Sequence, residues 1–371
     1  MDQRPCRIIT AVFCLGLFGA AAAGPGQRID VRKEAGITVV HNPKVPIPQP
    51  GGPSKLLLTQ DLVIGRDPAG GADVFAELRS IGADARENIW TLDWEDFKVR
   101  VFDRTGRLIS TFGKKGQGPR EWQSPNRMTV LPDGTAAVLD LNKLTFYALD
   151  GTCLREISTA KTRMSRFRID SRGTIYADEM DFSGETLKLR LKRFDPELKP
   201  LATLAEIEEP FKPGAVSPIP ILFQFHVTGD DRLFWMANNR YEFRVLDGDG
   251  TPLRKIVKDY APVKVTRADQ DRILGDSPAG MRSSIVFPDV FPPVAFYVGD
   301  PEGRLYAQTY ETDARGWLIY DVFDAEGRCI TRFSLPREEM AFAVRNDKLY
   351  VLISENEAGV PLVKRYAMTW K

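Results

Sequence analysis

Histidine and cysteine are scarce in this sequence, which narrows the chemistry open to it. The 371 residues include two histidines, His41 and His226, and four cysteines. No His-x-x-x-His and no Cys-x-x-Cys spacing occurs, so these zinc-binding motifs are missing. A Gly-x-Ser-x-Gly elbow is also missing, and a Ser-His-Asp triad would have to use one of the two histidines. The sequence therefore argues against a zinc enzyme and against a serine hydrolase.

An excess of one charge is missing too. Lysine and arginine number 51 and aspartate and glutamate 50, which leaves a net charge of +1. Without a broad positive field, we expect no nucleic-acid partner. The apolar run Ile8–Phe18 is too short to span a bilayer, and no other run is long enough to be a membrane helix. We therefore expect no transmembrane segment.

The first residues have the pattern of an export signal. Arg4 and Arg7 precede the apolar run, and Ala21-Ala22-Ala23 follow it before Gly24. This order of a basic region, an apolar region and small residues is typical of a cleaved secretory signal. We predict a signal peptide at residues 1–23, cleaved near Ala23/Gly24, and a secreted or periplasmic protein. Residues 24–36 are expected to be a flexible lead.

The stretch Gly113–Gly151 carries the clearest structural pattern. A Gly-rich loop is followed by short β-branched runs separated by tight turns such as Pro132-Asp133-Gly134. With the strand at Cys153–Ile157, four short antiparallel strands fit within one segment, the size and order of one β-propeller blade.

The turn before the second strand of this unit recurs along the chain. Six copies occur, each a polar turn followed by a strand, at Ala85–Asn88, Asp133-Gly134, Asp170–Gly173, Gly229–Asp231, Asp300–Gly303 and Asn346-Asp347. We therefore predict an all-β fold: a six-bladed β-propeller of four-stranded antiparallel blades over residues 37–371.

Closure of the ring is predicted from a missing strand. An apolar residue, Asp and a turn precede the outer strand in five copies, but the chain ends before the sixth copy can form one. Leu56–Ile64 reads as an outer strand without a blade of its own. We predict that this N-terminal strand completes the C-terminal blade and removes its exposed edge.

Two long connections interrupt the repeat. They are insertions at residues 207–222 and 259–293, and Thr266–Leu274 in the second has helical spacing. Both join an outer strand to the next inner strand, so they emerge on the same propeller face as the loops between second and third strands. Binding residues are commonly carried on such loops.

The repeat also resembles a known family. The matching positions are Gly116, Gly118, Pro119, Glu121, Pro125, Asp133, Gly134 and Asp140. In this pattern the chain resembles the NHL-repeat and related bacterial secreted six-bladed β-propellers. The resemblance implies the propeller fold; it does not imply one activity, because propellers have unrelated functions.

Our first functional hypothesis is an exported, non-catalytic binding or scaffold propeller. The loop-face side chains of types common at binding surfaces are Trp94, Asp96, Arg120, Asn239, Arg240 and Arg315. We expect them to recognise a peptide, glycan or protein partner, and we expect a monomer without a cofactor. Trp122 is expected in the core, in place of a phenylalanine that wedges between blades.

The alternative is a propeller enzyme of lyase or lactonase type with a carboxylate-bound divalent metal in the central channel; calcium stays open. Asp93, Asp140 and Asp178 each end a second strand, and His226 is expected on an inner strand near the axis. The competing interpretation is that the aspartates accept bonds from loop amides. His226 would then be a hydrogen-bonded structural residue.

The two cysteines that remain after export are expected to be free thiols. Cys153 and Cys329 follow equivalent turns and lie near the starts of outer strands in blades 2 and 5. These blades face each other across a six-membered ring, so the thiols are too far apart for a disulfide.

Overall fold

The repeated turns and strands form six four-stranded antiparallel sheets arranged as a β-propeller. The structure is a computed structural model. It describes residues 28–65, 75–118, 121–181, 186–210, 214–275, 282, 284–354 and 359–371. The predicted signal peptide, residues 1–23, lies outside them. The part of the chain that the structure describes contains no helix with the length and hydropathy of a membrane span.

The strands follow one another in chain order. Three strands precede the first blade: β1 (Asp30–Glu34), β2 (Ile37–Asn42) and β3 (Leu56–Ile64). Blade 1 and the short ribbon after it contain β4 (Leu78–Ala83), β5 (Ile89–Asp93), β6 (Lys98–Phe102), β7 (Leu108–Phe112), β8 (Lys114–Lys115) and β9 (Glu121–Trp122). Blade 2 contains β10 (Arg127–Val130), β11 (Ala136–Asp140), β12 (Lys143–Tyr147) and β13 (Cys153–Ser158).

The remaining blades have the same order. Blade 3 contains β14 (Met164–Ile169), β15 (Ile175–Asp181), β16 (Thr186–Phe194) and β17 (Pro200–Pro210). Blade 4 contains β18 (Phe223–Val227), β19 (Leu233–Ala237), β20 (Glu242–Leu246) and β21 (Pro252–Lys258), followed by helix α1 (Arg267–Leu274). Blade 5 contains β22 (Phe296–Gly299), β23 (Leu305–Thr312), β24 (Leu318–Phe323) and β25 (Cys329–Leu335). Blade 6 contains β26 (Glu339–Arg345), β27 (Lys348–Ile353) and β28 (Leu362–Trp370).

The first strand of each blade lines the axis. Each of β4, β10, β14, β18, β22 and β26 contacts the first strands of both neighbouring blades, so these strands form a closed ring. Among the described residues, six apolar clusters lie between neighbouring blades, one at each junction. The hydrophobic core is therefore a set of inter-blade layers around the axis.

Strand β3 is the outer strand of blade 6. It pairs antiparallel with β28, from Val363 opposite Ile64 to Trp370 opposite Leu56. This is the position that the sequence analysis predicted for Leu56–Ile64. The backbone groups at the outer edge of β28 are thus paired within the molecule, and the sheet edge is covered.

The N-terminal segment makes a further connection that the sequence analysis missed. Strand β2 pairs in parallel with β21 of blade 4, and β1 adds beyond it. The expected flexible lead, residues 24–36, is therefore wrong at 30–34, where β1 forms. Strand β2 continues through His41 to Asn42. Tertiary pairing overrides the local polar residues here.

Asn42 joins blade 4 to blade 5. Its side chain is fully buried and donates to the carbonyl groups of Val257 and Gly327, and its oxygen accepts from the Cys329 amide. The Ile47 amide then donates to the Cys329 carbonyl. The segment from β2 to β3 consequently crosses the outer side of blades 4, 5 and 6.

The insertions differ in detail from the prediction. Strand β17 continues to Pro210, so regular structure extends into the first segment assigned as an insertion, 207–222. The second, 259–293, contains α1 where helical spacing was found. Thr266 and Asp269 form a reciprocal capping box at its start, which satisfies amides that a helix terminus would otherwise leave unpaired.

Cys153 and Cys329 begin the outer strands β13 and β25, and both are free thiols. This confirms the prediction that they do not pair. The core assignment of Trp122 is also confirmed, since its side chain is fully buried between blades 1 and 2. Gly113 lies against the Trp122 ring with φ of +98°, where a Cβ atom would overlap that ring.

Candidate functional site

One end of the propeller carries the loops between second and third strands together with the connections from outer to inner strands. We call it the loop face, and its described second-to-third-strand loops are residues 94–97, 141–142, 238–241 and 313–317. Helix α1 and the connection around it belong to the same end. The opposite end carries tight turns in which an aspartate binds amides two and four residues ahead, as Asp84 binds those of Arg86 and Asn88.

The predicted ligand residues lie on the loop face, but in three separate loops. Trp94 and Asp96 belong to blade 1, Asn239 and Arg240 to blade 4, and Arg315 to blade 5. Asp96 is paired with Arg100, whereas Asn239 and Arg240 are exposed. Arg120 lies outside the described residues.

Two arginine–tryptophan pairs stand out on this face. The Arg79 guanidinium lies 5.0 Å from the Trp94 ring centroid, and that of Arg315 lies 3.7 Å from the Trp317 centroid. Both arginines are exposed and both rings are half-buried. A carboxylate also pairs with each guanidinium, Glu77 with Arg79 and Asp313 with Arg315, and stacking and pairing together hold the partly exposed side chains in place.

The aspartates considered as channel candidates hold loops. Asp93 accepts bonds from the Ala76 and Glu77 amides, and Asp140 from those of Gln123 and Ser124. These carboxylates are buried and act as fixed anchors for the incoming connection.

In blades 3 and 4 a side-chain oxygen also accepts bonds from amides of the incoming connection. Asp178 accepts bonds from the Ser165 and Arg166 amides, and Asn238 accepts one from the Leu222 amide. Of the two interpretations left open for Asp93, Asp140 and Asp178, these bonds support the binding of loop amides.

A metal centre built on these residues does not fit the geometry. The carboxylate oxygens of the three aspartates are directed at backbone amides. Within the described ranges, no three His, Cys, Asp or Glu side chains come together in a way that could hold a metal ion. The channel wall also carries arginines, whose charge opposes cation binding.

Polar side chains on the inner strands connect each blade to the next. The Ser80 hydroxyl donates to the Met128 carbonyl, the Arg166 guanidinium to the Phe223 carbonyl, and the Gln224 amide to the Ala295 carbonyl. Inner strands have one edge without a strand partner, so their backbone groups need such bonds.

His226 is part of this inner ring, as predicted. Its Nε2 atom lies 3.2 Å from the Asp300 carbonyl oxygen, which can only accept, so Nε2 carries the proton. Burial and the positive charge of Arg168 lower the pKa of His226 to about 4, although the bond to Asp300 acts in the opposite direction. The imidazole is therefore neutral near neutral pH.

Three arginines line the channel, and the sequence analysis did not select them. We call Arg127, Arg166 and Arg168 the channel arginines; they lie on the inner strands β10 and β14 and are half-buried. Arg127 donates to the Asn126 carbonyl and Arg168 to the Phe167 carbonyl. Among the described residues neither has a carboxylate partner, whereas Arg166 lies 3.4 Å from Asp178.

Mutual repulsion shows in the pKa values of these groups. Burial is the largest cause that lowers the pKa of Arg127, and the charge of Arg166 adds to it. Burial also lowers the pKa of Arg168 to about 10, with repulsion from Arg127 and Arg166 contributing in the same direction. Both groups remain cationic at neutral pH.

A second group of buried cations, between blades 4 and 5, is neutralised by carboxylates. Between blades 4 and 5, Asp321 lies 3.3 Å from Lys258 and 2.6 Å from Arg332, and Glu311 lies 3.3 Å from Arg332. That network contains two cations and two carboxylates. Among the described residues, the group of channel arginines has three cations and one paired carboxylate, Asp178, so its charge is unbalanced.

Comparisons with known proteins agree on the fold. Residues 80–222 match a family model described as 6-bladed beta-propeller, DUF5128. A protein from Bacteroides fragilis described as a candidate exported protein is similar in structure, with a TM-score of 0.55 and 12% identity over 89% of this chain and 99% of that one. A DUF4221 family member from Bacteroides vulgatus has a TM-score of 0.53 and 11% identity over 86% of this chain and 99% of that one.

A gluconolactonase from Xanthomonas campestris is also similar, with a TM-score of 0.45 and 11% identity over 84% of this chain and 98% of that one. Likeness at these identities shows the propeller fold and carries no activity with it. No curated protein matches the chain.

Proposed function

We propose that this protein is an exported binding propeller that recognises a peptide, glycan or protein partner on its loop face without catalysing a reaction. The observation that carries the proposal is the pair of stacked groups, Arg79 on Trp94 and Arg315 on Trp317, whose arginines are ion-paired yet partly exposed on that face. Tryptophan and arginine are the residues that most often dominate binding energies.

The loops that carry these two pairs are held by aspartates, and this rigidity favours recognition of a partner. The connection before β4 is held by Asp93, and the loop of Arg315 is held by Asp313, which accepts bonds from the Arg315 and Trp317 amides. Loops fixed in this way lose little conformational freedom on binding, which increases affinity. Export is supported by the signal-like N-terminus.

A matched pair of substitutions tests the proposal. Arg304 lies over Trp370 at the opposite end of the propeller, with its guanidinium 5.4 Å from the ring centroid. Arg315→Ala and Arg304→Ala therefore remove the same chemistry from opposite faces. We expect a partner found on a glycan array or by peptide pulldown to bind the Arg315→Ala protein at least about tenfold more weakly, and the Arg304→Ala protein unchanged.

Two outcomes would contradict the proposal. One is equal binding by both variants, which would move the binding surface away from the loop face. The other is turnover of a substrate by the purified protein in an activity screen, abolished by a loop-face substitution.

A further inference from the structure

The chemistry of the channel arginines indicates what this propeller holds near its axis. A guanidinium has five N–H donors. The structure shows one hydrogen bond from Arg127 and one from Arg168, each to the carbonyl of the preceding residue. Most of the donors on these two side chains are therefore available, although the side chains are only partly exposed.

The positive charge around them is only partly compensated, by the charge of Asp178. The Asp178 carboxylate near Arg166 already accepts bonds from the Ser165 and Arg166 amides and from the Ser165 hydroxyl. Arg79, whose charge also repels Arg127, is neutralised by Glu77 at 2.5 Å. Half-buried cations without counter-ions are costly, and such arrangements are concentrated at functional sites.

We propose that the propeller channel binds an oxyanion, meaning a carboxylate, sulfate or phosphate group, through Arg127, Arg166 and Arg168. The planar fork of arginine donors matches the oxygens of these groups and binds them with two parallel hydrogen bonds. An excess of positive charge along the channel also concentrates such ligands from solution.

The position of the arginines gives the ligand a route of entry. Arg127 is the first residue of β10, and Arg166 follows the loop held by Asp178, so both lie toward the loop-face end of the channel. The inference rests on the proposed function in one respect: it takes the loop face as the entrance and names the chemical class of one ligand group bound there.

Calorimetric titration of the mature protein tests the inference. Sodium sulfate, sodium phosphate and sodium acetate are added separately at constant ionic strength, with chloride as the balancing anion. These probes distinguish which of the three oxyanion groups the channel takes. Arg127→Gln and Arg168→Gln are the channel variants. Arg267→Gln is the control, because the Arg267 side chain is 87% exposed on helix α1.

We expect saturable binding of at least one oxyanion, and binding about tenfold or more weaker in each channel variant, since each loses charge-assisted hydrogen bonds. The control should bind as the unmodified protein does. In chloride alone, Arg168→Gln should melt at or above the temperature of the unmodified protein, because its removal relieves repulsion. A lower melting temperature would show that the charge of Arg168 is compensated in the folded protein and would overturn the inference.

Other results would also overturn it. They are the absence of saturable binding by all three probes, and equal weakening in the Arg267→Gln control. If these occur while the loop-face substitution still abolishes partner binding, the channel site is wrong and the proposed function stands. If the channel binds an oxyanion but no partner binds the loop face, the channel site stands and the proposed function is wrong.

Discussion

Replacing His226 with glutamine should remove much of the acid sensitivity of this propeller. The imidazole changes charge in acidic solution, and Arg168 is the cation whose charge acts on it. Glutamine keeps an N–H that can donate to the Asp300 carbonyl, 3.2 Å from Nε2 in the native protein. It stays neutral at every pH, so the substitution removes the titration and retains the bond.

The direction of the pH effect on stability follows from the lowered pKa of His226. The pKa of His226 falls from its ordinary value of 6.5 to about 4 through burial and Arg168. Between these values the unfolded chain binds a proton that the folded protein does not, so acidification favours unfolding. The stabilising contribution is complete above about pH 6.5 and is lost progressively down to about pH 4. The free energy of unfolding that this titration removes between about pH 7 and pH 4.5 is about 2 kcal/mol.

Urea unfolding followed by tryptophan fluorescence measures this difference. The native and His226→Gln proteins are compared at about pH 7 and pH 4.5, and the effects of carboxylates common to both cancel. We expect the native protein to lose about 2 kcal/mol more than the variant. An equal loss in both proteins would refute the reasoning, as would an NMR titration of the His226 ring near its ordinary pKa. His41→Gln assigns the second of the two imidazole signals.

Three further substitutions or truncations test the fold. A truncated protein that begins at Arg66 loses β3, and we expect it to unfold more easily by about 3 kcal/mol or more and to aggregate; a monomer with unchanged melting would contradict this. Gly113→Ala should lower the free energy of unfolding by about 3 kcal/mol, because a Cβ atom would overlap the Trp122 ring. The control Gly134→Ala, where a Cβ atom would meet open space, should lower it by about 1 kcal/mol in the same melting assay. Asn42→Ala should cost about 2 to 4 kcal/mol in urea unfolding, because three buried backbone groups lose their partner; a cost no greater than that of His41→Ala would show that the junction is unimportant.

The fold was predictable because its signals are local and repeated. Each tight turn needs its own Gly, Asn or Asp, so the turn before Leu349 has the same kind of pattern as the turn before Ile89. The outer strand β3 was predictable because the sixth repeat lacked one. By contrast, β2 pairs with β21 more than two hundred residues away, and a parallel pairing over that distance leaves no local pattern. The pairing of Asn42 in this sheet therefore could not be predicted from the sequence.

The candidate site was less predictable, because residue type does not indicate whether a side chain has a partner. For Asp93, Asp140 and Asp178 the sequence left two interpretations open, metal ligands or acceptors for loop amides, and loop amides occupy their oxygens. Arg166 and Arg168 carry one local signal: they alternate with Phe167 on a strand that should be mostly apolar or small. The absence of carboxylate partners within the described part of the chain is a spatial property, which the sequence does not contain.

The axis is also the place where this fold can hold charge with least loss of packing. The apolar clusters lie between the blades, away from the inner edges of β4, β10, β14, β18, β22 and β26. Those edges expose backbone carbonyl groups that need donors, and Arg166 and His226 supply two of them. Polar side chains are thus required near the axis before any ligand is considered. Because a guanidinium has five donors and the backbone uses one, arginine at these positions can serve the scaffold and leave donors for a ligand. Substitution by lysine, which lacks the planar fork, would supply the backbone bond and the charge while losing the two parallel bonds to an oxyanion.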